Sequence, residues 1–170
     1  MDNDPIVHVH ADALLAGTGT TRIVLAGLRD PAAILAHPQI TGLIGFTGPV
    51  GLLLAAIVHF ITGDEDPAGI LATLGGVLPP GSYLAVSHAT GDFRPQAARD
   101  AAAVYDQATS PVTLRARDQV AALFAGWDLA DPGLVQVPLW RPGGRPSRRR
   151  GLARAWVYGG VARKNQPAGS

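Results

Sequence analysis

The chain has 170 residues, long enough for one domain with a core of its own. Hydrophobic residues make up 47% and charged residues 16%, which excludes a disordered chain, and a net charge of +1 leaves no global electrostatic case for nucleic acid. The absence of cysteine excludes disulfides and thiolate metal sites and suits a cytoplasmic protein; the acidic first residues do not read as a signal peptide, and the longest apolar run, 50–61, is too short for a membrane span.

Asp4-Pro5 reads as a helix start, a capping carboxylate followed by proline at the first helical position, with the helix running to Ala16 and ended by Gly17. The "GTGT" at 17–20 follows a helix and precedes a strand, the reverse of what a nucleotide-binding loop requires. The β-branched and apolar run 21–26 predicts a short buried strand closed by Gly27. "RDPAAILAHP" repeats the Asp-Pro start, with Asp30 as cap and Pro38 as stop. "PVGLLLAAIVHF" predicts a second buried strand covered on both faces, with His59 at its end. Asp66-Pro67 opens a further helix, and "PPGSYLAVSH" is a turn and a strand over 82–87 with His88 at its end.

Helices follow over 95–108 and 115–124, the second with Val120, Leu123 and Phe124 as its apolar stripe. "GLVQVPLW" and "ARAWVYGGVARK" alternate like the strands of an antiparallel hairpin, joined by a glycine, proline and arginine loop. The expected architecture is α/β, with a mainly parallel sheet, over residues 1–164, and a loose tail at 165–170.

Several segments carry a resemblance in a fixed order: "DNDPIV", "LRDPAAILAHP", "PVGLLLAAIVHFI", "DEDPAGI", "LPPGSYLAVSHAT", "PVTLRARDQVAALFAGW", "VPLWRP" and "YGGVARK". Together they resemble a bacterial family of S-adenosylmethionine-dependent methyltransferases with poorly defined substrates. The resemblance implies a Rossmann-like sheet in the order third, second, first, fourth, fifth, seventh, sixth strand. It also implies that this chain lacks the first strand, its glycine-rich turn and most of the second strand. The expected function is methyl transfer from S-adenosylmethionine to an unknown acceptor. In the family Asp2 would close the second strand and hold the ribose hydroxyls, as a carboxylate can accept from both. Gly27 stands where the family usually has an acid suited to the adenine amino group.

Each candidate residue has two readings. Asp2 is a ribose ligand or a solvated N-terminal acid, and Asp30 is a cofactor neighbour or a helix cap. His59 and His88, at the ends of consecutive parallel strands, would sit together at the ligand-facing end of the sheet as catalytic groups or as satisfied strand-end histidines. No metal site is supported, since His8 and His10 cannot share a helix face. Arg141, Arg145, Arg148, Arg149, Arg150 and Arg154 read as a solvated loop rather than a specific nucleic-acid site. Two alternatives to an enzyme stand beside this reading: a non-catalytic, partner-binding remnant, and a phosphate- or nucleic-acid-contacting module using the arginine loop. The exposed edge at 50–57 is expected to favour a homo-oligomer.

Overall fold

A computed structural model of the chain describes residues 1–15, 19–98, 100, 111–140 and 155–165. The helix stop at Gly17, the later part of the helix expected over 95–108, the arginine cluster between Arg141 and Arg154, and the tail after Asn165 lie outside the described residues.

The Asp-Pro pairs set the helix starts. Asp4 Oδ1 accepts from Ile6 N at 2.7 Å and opens α1 (Pro5–Leu15). Asp30 Oδ1 accepts from Ala33 N at 2.9 Å and opens α2 (Pro31–Ala36). Pro38 stands just past the end of α2, as expected of a stop, and also begins α3 (Pro38–Ile44), with His37 Nδ1 accepting from Gln39 N at 3.2 Å as its cap. Proline lacks an N–H, which costs nothing at a first helical position, so the residue that ends one helix can start the next. Asp66 Oδ1 accepts from Gly69 N at 3.0 Å and opens α4 (Pro67–Gly76), whose C-terminal carbonyls at Gly75 and Gly76 receive the Lys164 ammonium at 2.7 and 3.2 Å, with Leu78 O, just past the helix, at 2.6 Å. A shorter helix, α5 (Arg117–Ala122), follows the segment 111–116.

Strands β1 (Gly51–Ala55), β2 (Tyr83–Ala89), β3 (Trp127–Leu129), β4 (Val135–Gln136) and β5 (Val157–Lys164) form one mixed sheet in the order β1-β2-β5-β3, with β4 also on β5. β1 and β2 are parallel; β5 is antiparallel to β2, β3 and β4. The parallel β1-β2 pair with β5 antiparallel beside it, and the antiparallel pairing of β4 with β5, agree with the expected parallel strands followed by a terminal antiparallel hairpin. Serines fix the register of β1: Val50 N donates to Ser82 Oγ at 3.0 Å and Ala56 N to Ser87 Oγ at 2.8 Å.

Several expectations are corrected. Residues 21–26 form no strand among the described residues, only a parallel bridge between Leu25 and Asp2, with Asp2 N donating to Val24 O at 3.2 Å and Ala26 N to Asp2 O at 3.0 Å. A ladder needs a neighbour along its length, and only Asp2 lies alongside. β1 is shorter than 50–57 and is not covered on both faces: only Leu54 is buried, while Leu53 is 72% exposed. It stops at Ala55 because Ala56 adopts a left-handed φ of 53°, and His59 therefore lies in the 3-10 turn Val58–Phe60 instead of on the strand. His88 lies within β2, before its last residue. Of "GLVQVPLW" only Val135 and Gln136 pair, and Val137–Leu139 is a 3-10 turn; β3 was not anticipated.

The core is one buried cluster that includes Leu84 and Val86 of β2, Ile70, Leu71 and Leu74 of α4, Val120, Leu123, Phe124, Leu134 and Ala162. Alternation along β2 buries Leu84, Val86 and His88 on one face. Gly160 lets the layers close: a Cβ there would stand 3.1 Å from Phe124 Cζ and 3.2 Å from Leu129 Cδ2. Gly160→Val is therefore expected to lower stability by about 1–3 kcal/mol through overpacking, read as a lower urea midpoint.

Candidate functional site

The site forms at the carboxyl ends of β1 and β2. Leaving β1 at Ala56, the chain enters the turn Val58–Phe60, anchored by Val58, fully buried, and Ile61, 2% exposed. His59 is half-buried in that turn. Its ring meets the His88 ring edge-on, with centroids 5.7 Å apart, and the Phe60 ring at 4.5 Å. The pairing of His59 with His88 is thus present, reached through a turn and a strand position rather than through two strand ends.

The two imidazoles differ in chemistry. His88 is fully buried; its Nδ1 faces Ala89 O at 2.7 Å, and its Nε2 faces Arg115 Nη1 at 2.8 Å. A carbonyl accepts and a guanidinium donates, so the ring proton sits on Nδ1 and the Nε2 lone pair receives Arg115. Both nitrogens of His88 are thus engaged, and the residue has no exposed surface. Burial, reinforced by the charges of Arg115 and His59 and opposed by the bond to Ala89 O, lowers its pKa to about 4. The pKa of His59 is also lowered, first by burial and then by the charge of Arg115. Its buried Nδ1 has no hydrogen-bond partner among the described residues.

Arg115 was not singled out in the sequence. It is 7% exposed, and besides His88 its guanidinium donates to Ile61 O at 2.8 Å and Val58 O at 3.3 Å. The segment carrying it is tied down by Thr113 N, which donates to His59 O at 2.8 Å, and by Arg115 N, which donates to Ala89 O at 3.4 Å. From the segment before α2, Arg29 Nη2 donates to Phe60 O at 2.8 Å while its Nε is paired with Glu65. The Arg29 guanidinium, together with Thr62 N and Oγ1 at 2.8 and 2.9 Å, holds the Glu65 carboxyl down at a pKa of about 2. A cleft of about 590 Å³ opens beside Arg115, lined by Gly91, Asp92, Pro95, Leu114, Ala116 and Gln119. Asp92 accepts from Tyr158 Oη and from Arg117 N, both at 3.0 Å.

The acids proposed for cofactor are elsewhere. Asp2 lies beside Leu25 and accepts from Asp4 N at 2.9 Å; Asp30 caps α2. Neither is linked to the histidine pair by any bond among the described residues. Among the described residues no group of His, Asp or Glu is arranged to hold a metal ion, and no helix is long and apolar enough to cross a membrane.

Neutral burial of His88 gives stability a pH signature. The unfolded ring, near 6.5, takes up a proton before the folded ring near 4, so its contribution is complete above about pH 6.5 and lost as pH falls toward 4. The loss is at most roughly 3 kcal/mol. Urea denaturation across this range is expected to show a shallower pH slope in His88→Gln than in the parent chain, with His59 supplying a residual slope of the same sign.

Comparison with known proteins places this geometry. A sequence model of the family described as S-adenosyl methyltransferase matches residues 1–165. Among solved structures, a DUF574-family protein from Streptomyces avermitilis is 39% identical with a TM-score of 0.89, the match covering 96% of this chain and 63% of that one. A methyltransferase candidate from Thermobifida fusca is 28% identical with a TM-score of 0.89, covering 97% and 62%. An O-methyltransferase family protein from Burkholderia thailandensis shares the fold at 14% identity and a TM-score of 0.62, covering 97% and 42%. No curated protein sequence matches. The chain spans under two thirds of the length of these solved relatives, and it belongs to the S-adenosyl methyltransferase family.

Proposed function

We propose that this chain is the part of an S-adenosylmethionine-dependent methyltransferase that presents the acceptor, with His59 beside the reacting atoms and Asp2 at the cofactor ribose. The observation that carries the reading is the family match across residues 1–165. The β1-β2-β5-β3 order supports it.

The residues present fit the cofactor at its ribose. Asp2 uses Oδ1 on Asp4 N, which leaves its other oxygen to accept from a hydroxyl. Asp30 shapes the adjoining turn as the cap of α2. At Gly27 a Cβ would meet only Asn3 Cβ, at 3.8 Å, so the backbone there is open to a close approach. When bound, S-adenosylmethionine supplies an electrophilic methyl group on sulfur.

An acceptor oxygen or nitrogen that gains a methyl gives up a proton. His59, whose lowered pKa keeps it neutral at pH 7, has a lone pair to take that proton. His88 contributes by holding Arg115. Much of such a transfer depends on alignment and exclusion of water, which a fixed turn serves better than a mobile loop. The cysteine-free chain suits the cytoplasm.

A second reading, a partner-binding subunit, is favoured by one observation. α1 has no buried residue, and Ile6, Val9, Leu14, Leu25 and Leu53 are 69%, 66%, 84%, 49% and 72% exposed. These exposed apolar side chains, on α1, beside Asp2 and on β1, would be covered by a further polypeptide segment or a second copy that extends the sheet from β1.

Two measurements test these readings. In calorimetry the 170-residue chain alone is expected to bind S-adenosylmethionine weakly or not at all, because it offers ribose recognition without a glycine-rich turn; a low-micromolar Kd would refute that expectation. Sedimentation is expected to show self-association, whereas a compact monomer with the 21–25 amides strongly protected from exchange would count against the second reading.

A further inference from the structure

Every carbonyl of the turn that carries His59 is claimed from outside the turn. Val58 O and Ile61 O accept from Arg115, His59 O from Thr113 N, and Phe60 O from Arg29. Of these donors only Arg115 takes carbonyls at both ends of the turn, and only Arg115 also reaches His88, the ring against which His59 packs. A guanidinium is suited to this because its donors are held in a rigid plane.

We propose that Arg115 is the positioning residue of the site: one buried guanidinium, shared among Val58 O, Ile61 O and His88 Nε2, sets the place and orientation of His59 at the carboxyl end of β1. The inference deepens the reading of His59 as the group beside the acceptor and rests on it for its functional consequence. The mechanics rest on the hydrogen bonds alone.

The charged and titratable groups that face His59 among the described residues are Arg115, from the segment before α5, and His88, from β2. Arg115 thus has two separable effects. It holds the carbonyls, which requires the planar fork, and it places a positive charge near the ring, which any cation does.

The full 170-residue chain tests this with NMR titration of the His59 ring and hydrogen exchange of the Ile61 amide, which donates to Val58 O at 3.1 Å. In Arg115→Met, His59 is expected to titrate higher, toward its ordinary value, and Ile61 to exchange at least about tenfold faster while β2 and β5 stay protected. In Arg115→Lys, the ammonium keeps the charge but cannot span the same acceptors. The His59 midpoint should stay low there while Ile61 exchange still quickens. An Arg115 that merely filled space would not separate the two signals. Unchanged titration and unchanged Ile61 exchange in a folded Arg115→Met chain overturn the proposal. If that variant does not fold, unchanged Ile61 exchange in Arg115→Lys does so. Failure of a chain extended to the length of its solved relatives to bind S-adenosylmethionine would remove the methyltransferase reading of the site and leave these two signals to decide the role of Arg115.

Discussion

A buried arginine without a carboxylate among the described residues sets the terms at the carboxyl ends of β1 and β2. Removing an ion from water costs several kcal/mol even after relaxation. Arg115, 7% exposed, has no acid partner among the described residues to offset that cost. What it has are carbonyl dipoles at 2.8 and 3.3 Å and an imidazole lone pair at 2.8 Å. Those acceptors suffice only if His88 is neutral and carries its proton on Nδ1. A protonated His88 would turn an N–H toward the guanidinium, so the arginine and the charged ring exclude one another. The bond from its Nδ1 to Ala89 O satisfies this constraint, and the depressed pKa of His88, set first by burial, is reinforced by the charge of Arg115.

The same constraint explains how a turn can be fixed without regular structure on either side of it. Ala56, a left-handed residue with no glycine's freedom, breaks β1 and throws the chain into the 3-10 turn Val58–Phe60. Such a break leaves carbonyls that a ladder would have used, and buried carbonyls need donors. Arg115 and Thr113 N supply them from the β2 side, and Arg29 supplies another from the segment before α2. Glu65 in turn neutralises Arg29 and binds both Thr62 donors, which extends the fixed region past the turn.

The parts of this arrangement that were legible in the sequence are those with a local cause. Asp4, Asp30 and Asp66 announce helix starts because an aspartate before proline caps through its own side chain, and all do so. Period-two alternation placed β2, and the same alternation puts His88 in phase with the buried Leu84 and Val86, so its burial was readable from register. What failed had a non-local cause. The run 21–26 has strand composition but only Asp2 beside it, and β1 was read as doubly covered because an apolar run does not reveal what lies next to it. β3 spans Trp127–Leu129 and is too short to show a period. Arg115 lies just before α5, where an arginine ordinarily reaches solvent, and nothing local distinguishes it from Arg117 two positions on. Only the meeting of residues 58–61, 88 and 115 makes it structural.

The site is built on the strand with the least protection. β1 pairs with β2 on one side, and among the described residues nothing pairs with its other side. Its sequence, GLLLA, contains none of the charges or prolines that guard an edge. Covering Leu53 and the apolar side chains of α1 would contribute roughly 1.5–3 kcal/mol for each large residue fully buried, against a whole-domain stability of only about 5–15 kcal/mol. The edge of β1 is therefore where stability is most sensitive to what accompanies this chain. The turn that follows it is not tied to that edge. Its donors come from Thr113 and Arg115 on the β2 side and from Arg29 before α2, and the amide of Ala56 is held by Ser87 on β2. A segment that extends the sheet from β1 would then meet a turn already set, with His59 placed by contacts that do not pass through the new strand.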